Sequence, residues 1–153
     1  MQALELKVPP PVLAVVIAAG MWVVARVSPA LALPPFVRTV TALPVAVAGI
    51  ALTIAAALSF RQAQTTMNPM QPQAAASLVR SGVYGVSRNP MYLGVLVVLL
   101  AWTAFLATPW AALGPAVFVL YINRFQIAPE ERILSAKFGA SYSEYKASVR
   151  QWL

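Results

Sequence analysis

Four glutamates, Glu5, Glu130, Glu131 and Glu144, are the whole acidic inventory of a 153-residue sequence without histidine, cysteine or aspartate. That inventory excludes disulfides and thiolate chemistry, zinc sites built on His and Cys, a Ser-His-Asp triad and aspartate-based phosphoryl transfer. Chemistry must rest on glutamate, basic side chains, hydroxyls and amides. These residues gather in two clusters. The first runs from Leu78 to Gly94, with Arg80, Tyr84, Arg88, Asn89, Pro90 and Tyr92 inside it. The second runs from Arg124 to Arg132 and continues through Phe138, Gly139, Tyr142 and Tyr145. Taken singly, each residue has an ordinary reading. Arg88 is a headgroup anchor, Tyr84 and Tyr92 are interfacial aromatics, and Glu130-Glu131 is a solvated helix start. Taken together they describe a site. Gly82 and Gly94 bracket a turn centred on Asn89-Pro90, whose amides could meet a ligand. Two carboxylates, several arginines and three tyrosines then converge on one basic-lined cleft.

The elements that must position these clusters are membrane spans. The sequence is 60% hydrophobic and only 10% charged, with a mean hydropathy of +0.74. Soluble domains carry about 25% charged residues, so a water-soluble globule is excluded, and so is disorder. A span needs about 20 apolar residues. The apolar stretches predict four, over about 8–27, 39–60, 91–107 and 109–122, with a hairpin at Thr108-Pro109. The first lacks the basic flank and cleavage site of a signal peptide and reads as a retained helix. Between the second and third lies a loop, 61–90, rich in Gln, Asn and Pro. Asn68-Pro69 and Gln71-Pro72 disfavour helix there. Beyond Asn123 an amphipathic tail, 123–153, opens a helix at Pro129 and ends it at Gly139. A capping box at Ser141-Tyr142-Ser143-Glu144 then opens another. That last helix lays Tyr142, Tyr145, Val149 and Trp152 on the membrane interface.

Four spans put both ends of the chain and the 61–90 loop on one side. Nine of the eleven Lys/Arg then fall on that side and only Arg26 and Arg38 on the other. A Lys/Arg excess marks the cytoplasmic face. The net charge of +7 therefore points to anionic lipid headgroups rather than to nucleic acid. The expected fold is all-α: one membrane-embedded domain over 1–153, with about four transmembrane helices and a cytoplasmic amphipathic tail.

The stretch from Leu78 to Gly94 and the tail from Glu130 to Tyr145 resemble the isoprenylcysteine carboxyl methyltransferase family and its small bacterial relatives. The shared pattern is Leu-Val, Gly-x-Tyr, Arg-Asn-Pro with Tyr and Gly, a glutamate pair, Phe-Gly and two spaced tyrosines. The resemblance covers the C-terminal half of the chain. It implies a membrane-embedded enzyme using S-adenosylmethionine. Residue by residue, it implies that Ser77, Leu78, Val79 and Tyr84, and then Arg88, Asn89, Pro90 and Met91, hold the cofactor. It also implies that Glu130 stands beside cofactor and reaction centre. Two positions depart from the family. The histidine of its Arg-His-Pro is Asn89 here, and a substrate-handling arginine of eukaryotic members falls at Gln126, with Arg124 two residues away.

The physics of such a cofactor suits this inventory. Glu130 can pair with its ammonium or sulfonium, a Tyr84 face attracts a cation or stacks a ring, and Arg88 could hold its carboxylate. Methyl transfer then needs mainly proximity and exclusion of water. The substrate is expected to be lipophilic or a lipid, in a bacterial inner membrane with the site facing the cytoplasm. Glutamine cannot neutralise an anion, so Gln126 predicts a neutral nucleophile over a free carboxylate. Two other readings compete: an NADPH-dependent reductase of the sterol reductase type, and a non-enzymatic four-helix transporter or scaffold. The spans lack the ionisable residue that transporters use, and sterol reductases are longer.

Overall fold

Prolines set where the helices begin. In the computed structural model, which describes residues 5–66, 68 and 70–153, α1 (Pro10–Val27), α2 (Pro35–Gln62) and α3 (Pro90–Leu106) each start with proline in the first turn. There the missing N–H costs nothing and the fixed φ already suits a helix. The chain is all-helical. Among the described residues, three helices are long and apolar enough to cross a membrane, and the shorter, apolar α3 lies beside them. Large apolar side chains on every one of them point outward, among them Val15, Phe36, Ile54, Leu100 and Leu120. A helix apolar all round belongs in lipid. The protein is a polytopic membrane protein.

The second span is longer than the apolar stretch suggests, running from Pro35 through Pro44 to Gln62. The third and fourth meet at a tight corner. Ala107 takes a left-handed conformation (φ 51°, ψ 40°) and its N–H donates to the Thr103 carbonyl. The fourth span starts as a tight turn, Pro109–Ala112, and becomes α4 (Leu113–Ile122). At this end of the bundle the segment between α1 and α2 packs on the corner. Leu31 N–H donates to Ala107 O at 2.7 Å and Thr108 Oγ1 to Pro29 O at 3.0 Å.

The tail differs from the sequence expectation. No loop separates α4 from the amphipathic segment, because a π-type turn, Asn123–Ile127, carries the helix straight into α5 (Ala128–Phe138). Pro129 accounts for the irregularity. It has no N–H for the carbonyl four residues earlier, Phe125, and its ring crowds that carbonyl. The orphaned oxygen is taken by the Leu6 N–H at 3.0 Å, which ties the N-terminal segment to this column. Glu5 adds an ion pair to Arg132 at 2.5 Å.

Gly139 (φ 52°, ψ −124°) joins α5 to α6 (Ala140–Ser148) in a conformation reserved for glycine. The capping box does not form. Ser141 lies inside the first turn of α6, and the Gly139 carbonyl receives the Tyr142 and Ser143 N–H groups. Of the Asn68-Pro69 pair, Pro69 lies outside the described residues; Asn68 Oδ1 accepts the Met70 N–H at 3.0 Å, as in a turn.

Packing follows a fixed order. α2 lies closest to α3 at Gly49 and Gly94, where a Cβ on Gly49 would stand 2.6 Å from the Gly94 carbonyl. Gly94 is thus a helix-contact residue and not the edge of the Asn89-Pro90 turn. α1 packs on α3 and α4 rather than on its neighbour α2. The core joins Met21 of α1 to Tyr92 and Leu99 of α3 and to Phe118 and Ile122 of α4. Trp102 Nε1 donates to the Ala18 carbonyl at 3.1 Å.

Candidate active site

The start of α1, the C-terminal half of α2 and the start of α3 surround a cavity of about 390 Å³. Its walls come from distant parts of the sequence. Pro9–Pro11 of the α1 start, Thr53 and Phe60 of α2, and Met91, Tyr92 and Val95 of α3 form three sides. The loop residues Thr66 and Asn68 and the stretch 70–79, with α5 and α6, complete it. That loop is held at its base by Thr65 Oγ1, which accepts the Ala76 N–H at 2.8 Å, and by Ser77 Oγ, which donates to Ala63 O at 3.2 Å. Lys137 of α5 donates to Gln73 O at 2.7 Å and ties the loop to α5.

Among the residues singled out from sequence, Ser77, Leu78, Val79, Tyr84, Arg88, Asn89, Met91 and Glu130 all line this cavity. Pro90 does not. It is fully buried at the start of α3, and its role is to set the helix that carries Met91 and Tyr92. Gln126 and Arg124 are not on the lining either. Gln126, 2% exposed, donates through Nε2 to Glu130 Oε1, and Tyr92 OH donates to the same oxygen at 2.5 Å. Arg124 faces outward from the π turn.

The arginines behave differently from the sequence expectation. Arg88 reaches the lining, but its guanidinium is engaged with protein groups. Nη2 and Nε donate to Glu131 Oε1 at 2.7 and 3.2 Å, and Nη1 donates to Val149 O at 2.5 Å. Glu131, expected to face solvent, is the centre of this cluster, since its other oxygen accepts from Lys146 at 2.8 Å. Arg80 donates to the Ser141 carbonyl and lies over the Tyr145 ring, outside the cavity. The cleft is therefore not basic-lined: its charged lining is Arg88, Glu130 and Glu131.

Aromatic rings complete the wall. Phe60 meets Tyr84 edge-to-face at 5.3 Å, and Tyr145 OH donates to the Tyr84 carbonyl at 2.7 Å. Tyr142 and Tyr145, expected on the membrane interface, are instead 3% and 4% exposed and line the cavity. Burial pushes the Tyr145 hydroxyl up to about 12 and raises that of Tyr84 as well, so both remain neutral donors at physiological pH. Sequence reasoning missed Thr53, Phe60 and Leu134, which carry no motif. It also treated Tyr92 as an interfacial aromatic, although Tyr92 lies in the Asn-Pro-x-Tyr run beside the glutamate it grips. Among the described residues no cluster of acidic side chains could hold a metal ion.

Such a pocket joins one buried carboxylate, tyrosine faces and apolar walls. It can hold a cation beside an aromatic group and exclude water from both. The chain is 38% identical over 72 residues to Protein-S-isoprenylcysteine O-methyltransferase A of Arabidopsis thaliana, a match covering 47% of this chain and 36% of that relative. It thus spans about a third of that enzyme's length. An uncharacterized protein of Haemophilus influenzae is 54% identical over 63 residues, which is 41% of this chain and all of the relative. No solved structure matches. The family model for phospholipid methyltransferases matches residues 37–141, well over half of the sequence, and the chain belongs to that family.

Proposed function

We propose that the protein is an S-adenosylmethionine-dependent methyltransferase acting on a lipophilic or amphiphilic acceptor, a small molecule or a membrane lipid, at the cytoplasmic surface of a bacterial inner membrane. The observation that carries this reading is the Glu130 carboxylate, gripped by Tyr92 and Gln126, on the wall of an aromatic cavity at the basic pole of the bundle. The family match supports methyl transfer as the reaction. The nine-to-two excess of Lys/Arg at that pole supports a cytoplasmic face.

The lining suits the cofactor. When bound, S-adenosylmethionine supplies a methyl group already activated on a sulfonium. Glu130 offsets positive charge in a cavity that otherwise offers little polar surface. The faces of Tyr84 and Tyr142 attract the same charge. Leu78, Val79 and Met91 make an apolar wall for a planar base, and Ser77 and Asn89 offer polar contacts. Because Arg88 is spent on Glu131 and on backbone carbonyls, its role is to fix the turn that presents Asn89. The remaining contribution of the chain is to align donor and acceptor and keep water out.

The acceptor is a neutral nucleophile. Gln126 is committed to Glu130 and Arg124 points away from the lining, so neither supplies a cation for a substrate carboxylate. An amine, thiol or hydroxyl sheds a proton when methylated, and Glu130 is a carboxylate on the cavity wall that can take it.

Calorimetric titration of the purified protein in lipid nanodiscs with S-adenosylmethionine, whose sulfonium carries the charge that Glu130 offsets, tests the reading, together with transfer of label from the methyl donor to total lipids. Glu130→Gln keeps the shape and removes the charge. It is expected to weaken binding by about 2 kcal/mol or more, the low end for a desolvated charge that loses its partner. If the native chain binds no S-adenosyl compound and transfers no label, the reading is wrong.

A further inference from the structure

Two segments set the polar side of the cavity: the Ser87–Asn89 turn before α3, which lines it through Arg88 and Asn89, and the π turn Asn123–Ile127, which lies off the lining and reaches it through the Gln126–Glu130 hydrogen bond. They are far apart in sequence, yet one extended stretch, Val149–Trp152, fastens both. On one side its backbone carbonyls do the holding. Arg150 O accepts the Arg88 N–H at 3.0 Å, Val149 O accepts Arg88 Nη1 at 2.5 Å, and Gln151 O accepts Asn89 Nδ2 at 3.0 Å. On the other side its side chains hold. Gln151 Nε2 and Trp152 Nε1 both donate to Asn123 Oδ1, at 2.7 and 3.1 Å. Asn123 opens the turn whose fourth residue, Gln126, grips Glu130.

We propose that Val149–Trp152 is a positioning strap. It sets the separation between the turn that carries Asn89 and the helix that carries Glu130, and so the width of the cavity's polar end. The carbonyl side of the strap is indifferent to side-chain identity at 149 and 150. The Asn123 side is specific, because a single oxygen receives two N–H donors that no aliphatic residue can satisfy. Asn123, Gln151 and Trp152 touch no reacting atom in this account. They act through Glu130 and Asn89.

The test uses the full chain in nanodiscs with S-adenosylhomocysteine as probe, and it rests on the proposed function only through that choice. Asn123→Leu removes the acceptor at similar size. It is expected to weaken probe binding about tenfold, the scale of a net hydrogen bond to a buried polar group. Asn123→Asp restores an acceptor and should return binding to within about threefold of native. Thr108→Val, which loses a buried hydrogen bond at the opposite pole, should lower thermal stability comparably without touching affinity. Native affinity in Asn123→Leu, or an equal loss in Thr108→Val, overturns the strap. Failure of the native chain to bind the probe overturns the proposed function instead. Amide exchange then decides the strap: faster exchange at both 87–89 and 123–130 in Asn123→Leu, but not in Thr108→Val, upholds it, and unchanged exchange overturns it.

Discussion

Glu131→Gln is the sharpest perturbation of the site's scaffold. Glu131 accepts two hydrogen bonds from Arg88 and one from Lys146. The two cations contribute unequally. The Lys146 side chain is 40% exposed, so that pair is worth at most about 1 kcal/mol. The Arg88 side chain is 10% exposed and that of Glu131 17%. Breaking a fully buried pair by removing one partner costs about 3–5 kcal/mol. Some solvent reaches Glu131 and Arg88 keeps its carbonyl partners, so about 2–3 kcal/mol is expected here. The neutral amide should therefore cost roughly three times as much as Lys146→Met, whose loss stays near the surface value. Arg88→Met combined with Glu131→Gln should recover much of the loss, since the one charge then left without its partner, Lys146, is 40% exposed to solvent. Thermal unfolding in nanodiscs, followed by circular dichroism at low and high salt, gives the comparison. Equal stability of Glu131→Gln and Lys146→Met would refute the assignment of Glu131 to the Arg88 anchor.

Other outcomes follow from the same geometry. Gly94→Ala pushes a methyl group into Thr53 and the α2 backbone; it should cost about 1–3 kcal/mol through overpacking, read as a lower unfolding temperature, whereas Gly20→Ala, with open space around it, should not. Gln126→Arg should not confer carboxyl methylation, because the new guanidinium lies one helical turn from Glu130 and pairs with it; an assay of a farnesylated cysteine analogue that shows a gain refutes this. Reporter fusions inserted at Arg38 and after Leu153 should report opposite sides of the membrane, and a shared side would end the four-crossing arrangement.

Much of this protein was legible in its sequence because hydropathy and proline speak locally. Runs without charge marked the spans, and Pro109 marked where the last one starts, whereas the starts at Pro35 and Pro90 lay outside the 39–60 and 91–107 stretches that hydropathy marked. The family resemblance also picked out eight of the lining residues, from Ser77 to Met91 and Glu130. What was not legible was the partner of each charge. Nothing in the spacing of Arg88 says that it turns toward Glu131 and the Val149 carbonyl instead of a ligand. Glu130 and Glu131 are adjacent, about 100° apart on a helix, and sequence alone did not say that Glu131 is half-buried in an ion cluster with Arg88 and Lys146. The π turn left no periodic signature, since a single inserted residue shifts the apolar stripe by less than the scatter of a short segment. Phe60 and Thr53 reach the cavity only because α2 lies against α3 at Gly49 and Gly94, a contact no local pattern encodes.

The choice of partners by α1 has a consequence for how the molecule is made. A helix that packed on the next one could dock as soon as the following hairpin left the ribosome. Here the surface of α1 that carries Met21 waits for α3 and α4. At about 5–20 residues per second, the synthesis of the intervening chain takes roughly 4–17 seconds. During that interval α1 stands in the bilayer with its contact face toward lipid, and the amide of Leu6 has not yet met the carbonyl that Pro129 leaves open. Although made before α2, α3 and α4, α1 is thus among the last of them to be locked, and the closing of the bundle coincides with the arrival of the segment that bears Glu130.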